Sequence, residues 1–264
     1  MKLSVIIPTY KPQEYLWKCL DSLCNQTFPK EDYELVIVLN GCKEPFDSEI
    51  KRYIGKRPEV KWNYIQIDVS GVSNARNMGI DIAQGDYIAF IDDDDFVSPT
   101  YLQELYTRTD NSTMALSYQL AFIDGKDDFS PYYITKEYDK SSEKIKLPFY
   151  KCRKHFNGPT YKLLSRTAIG DRRFDVSISN GEDALFMFLL SDKFKNVTFT
   201  TKNAVYYRRY REGSAISKRG NLIKRLKNAL ILITKYLSIY LRHPFSYNIY
   251  FMFSRIVGTL KTIH

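Results

Sequence analysis

Four short apolar runs, each ended by a turn former or an acid, set the rhythm of the first 110 residues. They lie at 3–7, halted by Pro8; at 33–39, ending in Asn40-Gly41; at 60–67; and at 87–91, running into four aspartates. All four read as strands, and the unbroken apolar run at 87–91 as a buried strand of a parallel sheet. Between them the apolar period changes. Leu16, Cys19, Leu20 and Leu23 share one side of a helix predicted over 14–26, and further helices are predicted over 48–53, 73–83 (stopped by Gly85) and 99–108. This β-α alternation predicts an α/β fold with a doubly wound, mostly parallel sheet flanked by helices. Right-handed crossovers then bring the loops that follow the strands to one sheet edge. Beyond residue 113 the pattern degrades into a Tyr-rich, charged stretch over 114–150, with hairpin-like pieces around Asp124-Gly125. A helix is predicted over 180–190 and a strand over 197–207.

The chain of 264 residues, 44% apolar, fits one large domain, or a domain with an appendage. Its charge is unevenly placed. Residues 208–264 hold 12 of the 39 basic residues and a single acid, Glu212, whereas 1–207 carries 27 basic against 29 acidic residues. The basic character therefore belongs to the tail. Cys19, Cys24, Cys42 and Cys152 have no CxxC or zinc spacing, which predicts reduced, packed thiols and a cytoplasmic setting. The apolar stretch at the N-terminus is too short for a signal peptide and reads as the first strand.

The densest chemistry is Asp92-Asp93-Asp94-Asp95, placed where a buried strand leaves the sheet. Like charges at that spacing repel, and burial raises the cost. A divalent cation relieves it, since Mg²⁺ and Mn²⁺ favour carboxylates shared with substrate phosphates. The carboxyl ends of strands are also where open α/β sheets bind ligands. An acidic solvated turn preceding a helix is the plain alternative for such a run.

Five segments in order decide between these. Ser4-Val-Ile-Ile-Pro-Thr-Tyr10, Gly71-Val-Ser-Asn-Ala-Arg-Asn-Met-Gly79, Gly85-Asp-Tyr-Ile-Ala-Phe-Ile-Asp-Asp-Asp-Asp95, Asn180-Gly-Glu-Asp-Ala-Leu-Phe186 and Tyr207-Arg-Arg-Tyr-Arg-Glu-Gly-Ser214 together resemble the family 2 inverting glycosyltransferases of bacterial surface-polysaccharide type, whose fold is the GT-A α/β sandwich. The resemblance spans 2–217. It implies a catalytic domain over 1–217, with a nucleotide-binding half (1–110) and an acceptor-binding half (111–217), and a helical tail over 218–264.

The resemblance also implies roles. Pro8, Thr9 and Tyr10 would line the base and ribose pocket, and Arg76 would reach the base or phosphates through its donor fork. Asp92 and Asp94 occupy the two acidic positions of a DxD motif: Asp92 for ribose and metal-bound water, Asp94 for direct coordination of Mn²⁺ or Mg²⁺. Asp93 fills the variable position, and Asp95 orients its neighbours or caps the next helix. Asp183 would be the general base for the acceptor hydroxyl, with Glu182 as the alternative base or an acceptor contact. Arg208, Arg209, Arg211 and Ser214 would form a cationic loop over the diphosphate. Lys162 would face the acceptor or phosphates, or simply sit in solvent. One departure stands out: where the family often has an acidic pair after its second strand, this chain has Leu39 and Asn40. An Asn can still offer an acceptor and a donor to uracil.

The expected activity is metal-dependent, inverting transfer from a nucleotide diphosphate sugar, UDP favoured, to a hydroxyl of a glycan or polyprenyl-linked oligosaccharide. An inactive nucleotide-sugar-binding scaffold is the alternative. A nucleotidyltransferase is disfavoured because no Gly-rich basic loop follows the first strand. In the tail, a helix predicted over 221–241 opens with Lys224, Arg225 and Lys227, and an aromatic cluster follows at 245–253. The apolar stretch is short for a span of ~20 residues, so the tail reads as an interfacial anchor on the inner face of the plasma membrane, or as helices packed on the protein. Its long apolar runs argue against nucleic acid as its partner.

Overall fold

β1 (Leu3–Thr9), α1 (Tyr15–Cys24), β2 (Tyr33–Asn40), α2 (Phe46–Gly55), β3 (Lys61–Ile67), α3 (Val72–Ile82) and β4 (Tyr87–Phe90) alternate along the first third of the chain. They belong to a computed structural model that describes residues 1–124, 126, 128–142, 146–210 and 221–263. β1 lies between β2 and β4, β2 pairs with β3, and all these ladders are parallel. Every residue of β1 and β2 is buried, which is why their sequences show no alternation. Four of those buried residues, Ser4, Thr9, Glu34 and Asn40, are polar, and Ser4 and Glu34 bond to each other. Ser4 Oγ donates to Glu34 Oε1 at 2.7 Å, while the Gly85 and Gln84 amides donate to Ser4 Oγ and Glu34 Oε1 at 2.8 and 2.7 Å. The turn into β4 is thereby locked to β1, and the aspartates begin at Asp92, just past the end of the strand.

The second part of the chain runs β5 (Phe96–Val97), α4 (Tyr101–Arg108), β6 (Thr113–Leu116), β7 (Tyr118–Phe122), β8 (Phe129–Ser130), α5 (Tyr133–Ser141), β9 (Leu147–Pro148), a 3-10 stretch over Phe149–Phe156, β10 (Leu163–Ser165), α6 (Arg166–Ile169), α7 (Glu182–Leu189), β11 (Asn196–Phe199) and β12 (Val205–Arg209). β10 extends the parallel sheet antiparallel to β4, giving the order β10-β4-β1-β2-β3. Two smaller sheets, β6-β11-β9 and β5-β12-β7-β8, complete the strands described.

Two sequence expectations need correction. The strand predicted over 197–207 is two strands in different sheets, because the polar stretch Thr200-Thr-Lys-Asn203 turns the chain and Glu104 accepts from Thr201 at 2.7 Å. The stretch 114–150 holds the expected hairpin, β7–β8, but also α5, whose buried residues Ile134, Thr135 and Tyr138 make too short a stripe to declare a helix.

α8 (Leu222–Arg242) and α9 (Ile249–Leu260) follow. They pack on each other, on α7 and on the 3-10 stretch through Leu232, Tyr236, Phe251 and Met252. The Phe188 ring of α7 meets Tyr236, Tyr247 and Phe251 at 5.1, 5.3 and 5.9 Å. Their other face leaves Ile223, Leu230, Leu241, Phe245, Tyr250 and Phe253 exposed. No helix among the described residues is long and apolar enough to cross a membrane.

Candidate active site

Loops after β1, β2, β3 and β4 converge at one sheet edge, and Asn40 stitches three of them together. Its Nδ2 donates to the Thr9 carbonyl at 2.7 Å and its Oδ1 accepts from the Gly71 amide at 2.9 Å. Gly41 adopts φ +64°, and a Cβ there would fall 2.3 Å from Ser70 Cβ, so the close approach of these loops requires glycine. Asn40 is buried, and both ends of its amide serve the loop backbones. This corrects the expectation that Asn40 reads a base. Thr9 is buried and donates to Asp93 Oδ2 at 2.5 Å, which ties the β1 loop to the aspartates, while the neighbouring Tyr10 ring is exposed. Pro8 lies within β1.

The four aspartates diverge. Asp95 is buried, accepting from Tyr206 Oη at 2.5 Å and from the Arg209 amide at 2.8 Å; the cap position of α4 is Thr100, not Asp95. Burial, and next the charges of Asp92 and Asp94, hold its carboxyl well above the ordinary range. Asp92 and Asp94 remain partly exposed at the strand end. Asp94 lines a cavity of about 250 Å³ together with Lys18, Phe96, Asp124 and Arg209.

Arg76 links two segments distant in sequence, pairing with Asp92 and with Asp183. It is buried on α3, neither on the surface nor facing an open base pocket. Its Nη2 reaches Asp92 Oδ1 at 3.0 Å and its Nη1 reaches Asp183 Oδ1 at 2.5 Å. The guanidinium lies 5.4 Å from the Phe174 ring, which stacks at 3.8 Å on Phe186 of α7. A planar fork on an aromatic platform can hold two carboxylates in fixed relation. Burial raises the Asp183 pKa above its usual value, opposed by Arg76. Asp183 Oδ2 lies 3.6 Å from where a Cβ of Gly158 would sit, so the absent side chain leaves room beside it. The Glu182 carboxyl is also raised, by burial and then by the Asp183 charge.

Lys162 contradicts both sequence readings. It is fully buried, and its Nζ donates to the Gly158 and Thr160 carbonyls at 2.6 and 2.9 Å, over the Tyr161 ring at 3.8 Å. Burial pushes its pKa well below the usual lysine value. It shapes the 158–162 loop that faces Asp183. Arg208 lies 5.9 Å from the Tyr132 ring, and Arg209 pairs with Asp124 over the Tyr15 ring at 4.6 Å. Arg211 and Ser214 fall outside the described residues. Tyr206 and Phe174 carry no motif and escaped the sequence reading. Tyr206 adjoins the segment that begins at Tyr207, whereas Phe174 lies between the motif segments.

The donor set at the strand end suits a shared cation. Among the described residues no three ligating side chains assemble into a metal site. Asp92 and Asp94 instead offer two carboxylates in a locally negative field, the number that Mg²⁺ or Mn²⁺ takes when substrate phosphates supply other ligands.

Residues 4–173 match the family described as glycosyl transferase family 2. The chain belongs to that family. Among curated relatives of this family 2 chain, the poly(ribitol-phosphate) beta-glucosyltransferase of Bacillus spizizenii is 37% identical over 106 residues, 40% of this chain and 17% of that protein. The minor teichoic acid biosynthesis protein GgaB of Bacillus subtilis is 26% identical over 219 residues, 80% of this chain and 23% of that protein. The matches thus span less than a quarter of those relatives' length. The crystal structure of S. aureus TarS 1–349 in complex with UDP-GlcNAc covers 90% of this chain and 67% of that one, with TM-score 0.70 at 23% identity. The mannosyltransferase PcManGT of Pyrobaculum calidifontis, solved with GDP-Man and Mn²⁺, covers 100% and 70% with TM-score 0.62 at 15% identity. These likenesses show the GT-A fold.

Proposed function

We propose that this family 2 chain transfers one sugar, with inversion, from a nucleotide diphosphate sugar to a hydroxyl of a glycan or lipid-linked oligosaccharide used in bacterial surface-polysaccharide synthesis. The observation that carries the reading is the Arg76 bridge: one buried guanidinium holds the base candidate Asp183 and the donor-loop Asp92 together. A displacement at the anomeric carbon needs an acceptor base on one side and a stabilised leaving group on the other, in fixed relation. Asp183 Oδ1 is held by Arg76, which leaves Oδ2, beside Gly158, to take the acceptor proton. The acceptor oxygen bonds to the anomeric carbon as the bond from that carbon to the diphosphate oxygen breaks. Burial makes Asp183 a stronger base than a solvated carboxylate. Asp92 and Asp94 would hold a divalent cation, which neutralises charge growing on the diphosphate when bound.

UDP-sugars are the first donors to test, because the similar TarS fragment was crystallised with UDP-GlcNAc. The basic, apolar face of α8 and α9 would set the enzyme on the inner face of the plasma membrane, where lipid-linked acceptors reside. The test substitutes Asp183→Asn and measures both transfer and the thermal shift produced by UDP with Mn²⁺. Transfer is expected to fall about a thousandfold with the UDP shift retained. Full transfer by the variant would remove Asp183 from the base role, whereas a wild type that shows the UDP shift but no transfer would favour the scaffold reading.

A further inference from the structure

A second cavity, about 260 Å³, lies between the start of α7, the end of the 3-10 stretch, and helices α8 and α9. Arg153, Asn157, Asn180, Asn228, Arg255 and Thr259 supply its polar wall. Gly181 and Ala184 line it as well, flanking Asp183 in sequence, so the cavity and the base share one helix end.

Its charge is unusual. Arg255 is buried, with only 3% of its surface exposed, and no carboxylate among the described residues pairs with it or with Arg153. Arg255 gives Nη1 to Asn157 Oδ1 at 2.9 Å and Nη2 to the Phe156 carbonyl at 2.6 Å. The Nε atoms of both Arg153 and Arg255 are buried without a hydrogen-bond partner. Burial, with Arg153 adding to it, lowers the Arg255 pKa to about 10. A buried cation without a counter-charge is among the costliest arrangements in a protein. α9 is also shaped to admit the second arginine: a Cβ on Gly258 would fall 2.0 Å from Arg153 Nη2, so the guanidinium occupies the place of a side chain.

We infer that this cavity binds a phosphate group of the acceptor, as a second recognition site beside the base. Two guanidinium groups with asparagine and threonine donors around them match a tetrahedral oxyanion better than a neutral sugar. The volume holds a phosphate ester together with part of its flanking groups. The meaning of the site rests on the transferase reading above. The phosphate belongs either to a phosphodiester within a glycan or to the head of a lipid carrier, and both present the same chemistry to the cavity.

The test titrates the full chain with inorganic phosphate, dimethyl phosphate and neutral vesicles with or without polyprenyl phosphate, following melting temperature and vesicle co-sedimentation. UDP with Mn²⁺ is run alongside. Phosphate is expected to stabilise the wild type saturably, and Arg153→Gln to weaken it about tenfold through loss of a charged hydrogen bond. Gly258→Ala keeps the charge but pushes the flexible end of Arg153 aside, and should weaken it similarly. The UDP response is expected to stay intact in both variants. Vesicle binding that needs polyprenyl phosphate and is lost in Arg153→Gln identifies the lipid source, and dimethyl phosphate binding without any polyprenyl phosphate dependence of vesicle binding identifies the glycan source. No phosphate response in the wild type, or an undiminished one in both variants, overturns the site. An absent UDP response with the phosphate response intact would instead sink the transferase reading alone.

Discussion

Arg76 bridges Asp92 and Asp183, and its geometry predicts that charge alone cannot replace it. A lysine ammonium has three donors but no planar fork, so it does not hold Asp92 and Asp183 in the same fixed relation. Arg76→Lys should keep the fold yet misplace Asp183, lowering kcat about a hundredfold, with UDP affinity changed far less. Equal losses in both would mean that Arg76 binds the donor rather than positions the base. His155 offers a separate test of burial. It is only 2% exposed, neither ring nitrogen has a partner, and burial lowers its pKa to about 4. In the unfolded chain the same group titrates near 6.5. The unfolded state therefore binds the proton first, so this contribution is fully present above pH 6.5 and drains away as pH falls toward 4, to about 3 kcal/mol in all. Urea denaturation at pH 7.5 and 5 should show a smaller acid loss for His155→Phe than for the wild type.

At the scale of elements, the parallel sheet is most sensitive where β1 and β4 meet. A Cβ on Gly85 would stand 2.5 Å from the Ser4 nitrogen and 2.6 Å from the Leu3 carbonyl carbon, both backbone atoms that cannot swing away. Gly85→Ala should cost about 2 kcal/mol, read as a lower urea midpoint; an unchanged midpoint would show that the strands part without penalty. This part of the molecule was legible in advance. The runs at 3–7 and 33–39 are buried throughout and that at 87–91 nearly so, as a strand inside a parallel sheet requires. The split of 197–207 and the presence of α5 were not legible, because both depend on partners distant in sequence: Glu104 for the turn, and the Thr200 carbonyl for Tyr138. The site divides in the same way. Asp92, Asp94 and Asp183 stood out by motif. That Asn40 and Lys162 turn inward to backbone carbonyls follows from loop packing, which side-chain chemistry alone does not reveal.

For the whole molecule, the tail is two-faced. Leu232, Tyr236 and Phe251 complete the core beside α7, so removing everything after 217 would strip cover from the helix that carries Asp183. Substitutions on the outer face separate the two roles. Phe245, Tyr250 and Phe253 are exposed there, and Lys224, Lys227, Arg242 and Lys261 are exposed on the same two-helix unit. Aromatic rings at the headgroup level, with about 1 kcal/mol from each basic residue near an anionic surface, suffice for reversible attachment. The chain should therefore float with vesicles containing anionic lipid and less with neutral ones. Phe245→Ser with Tyr250→Ser and Phe253→Ser should release it while leaving the melting temperature near that of the wild type. High salt should weaken attachment through screening. If the wild type stays with the soluble fraction and instead doubles its mass with concentration, the same face joins two copies, and the route to a lipid-linked acceptor must run through the phosphate-binding cavity alone.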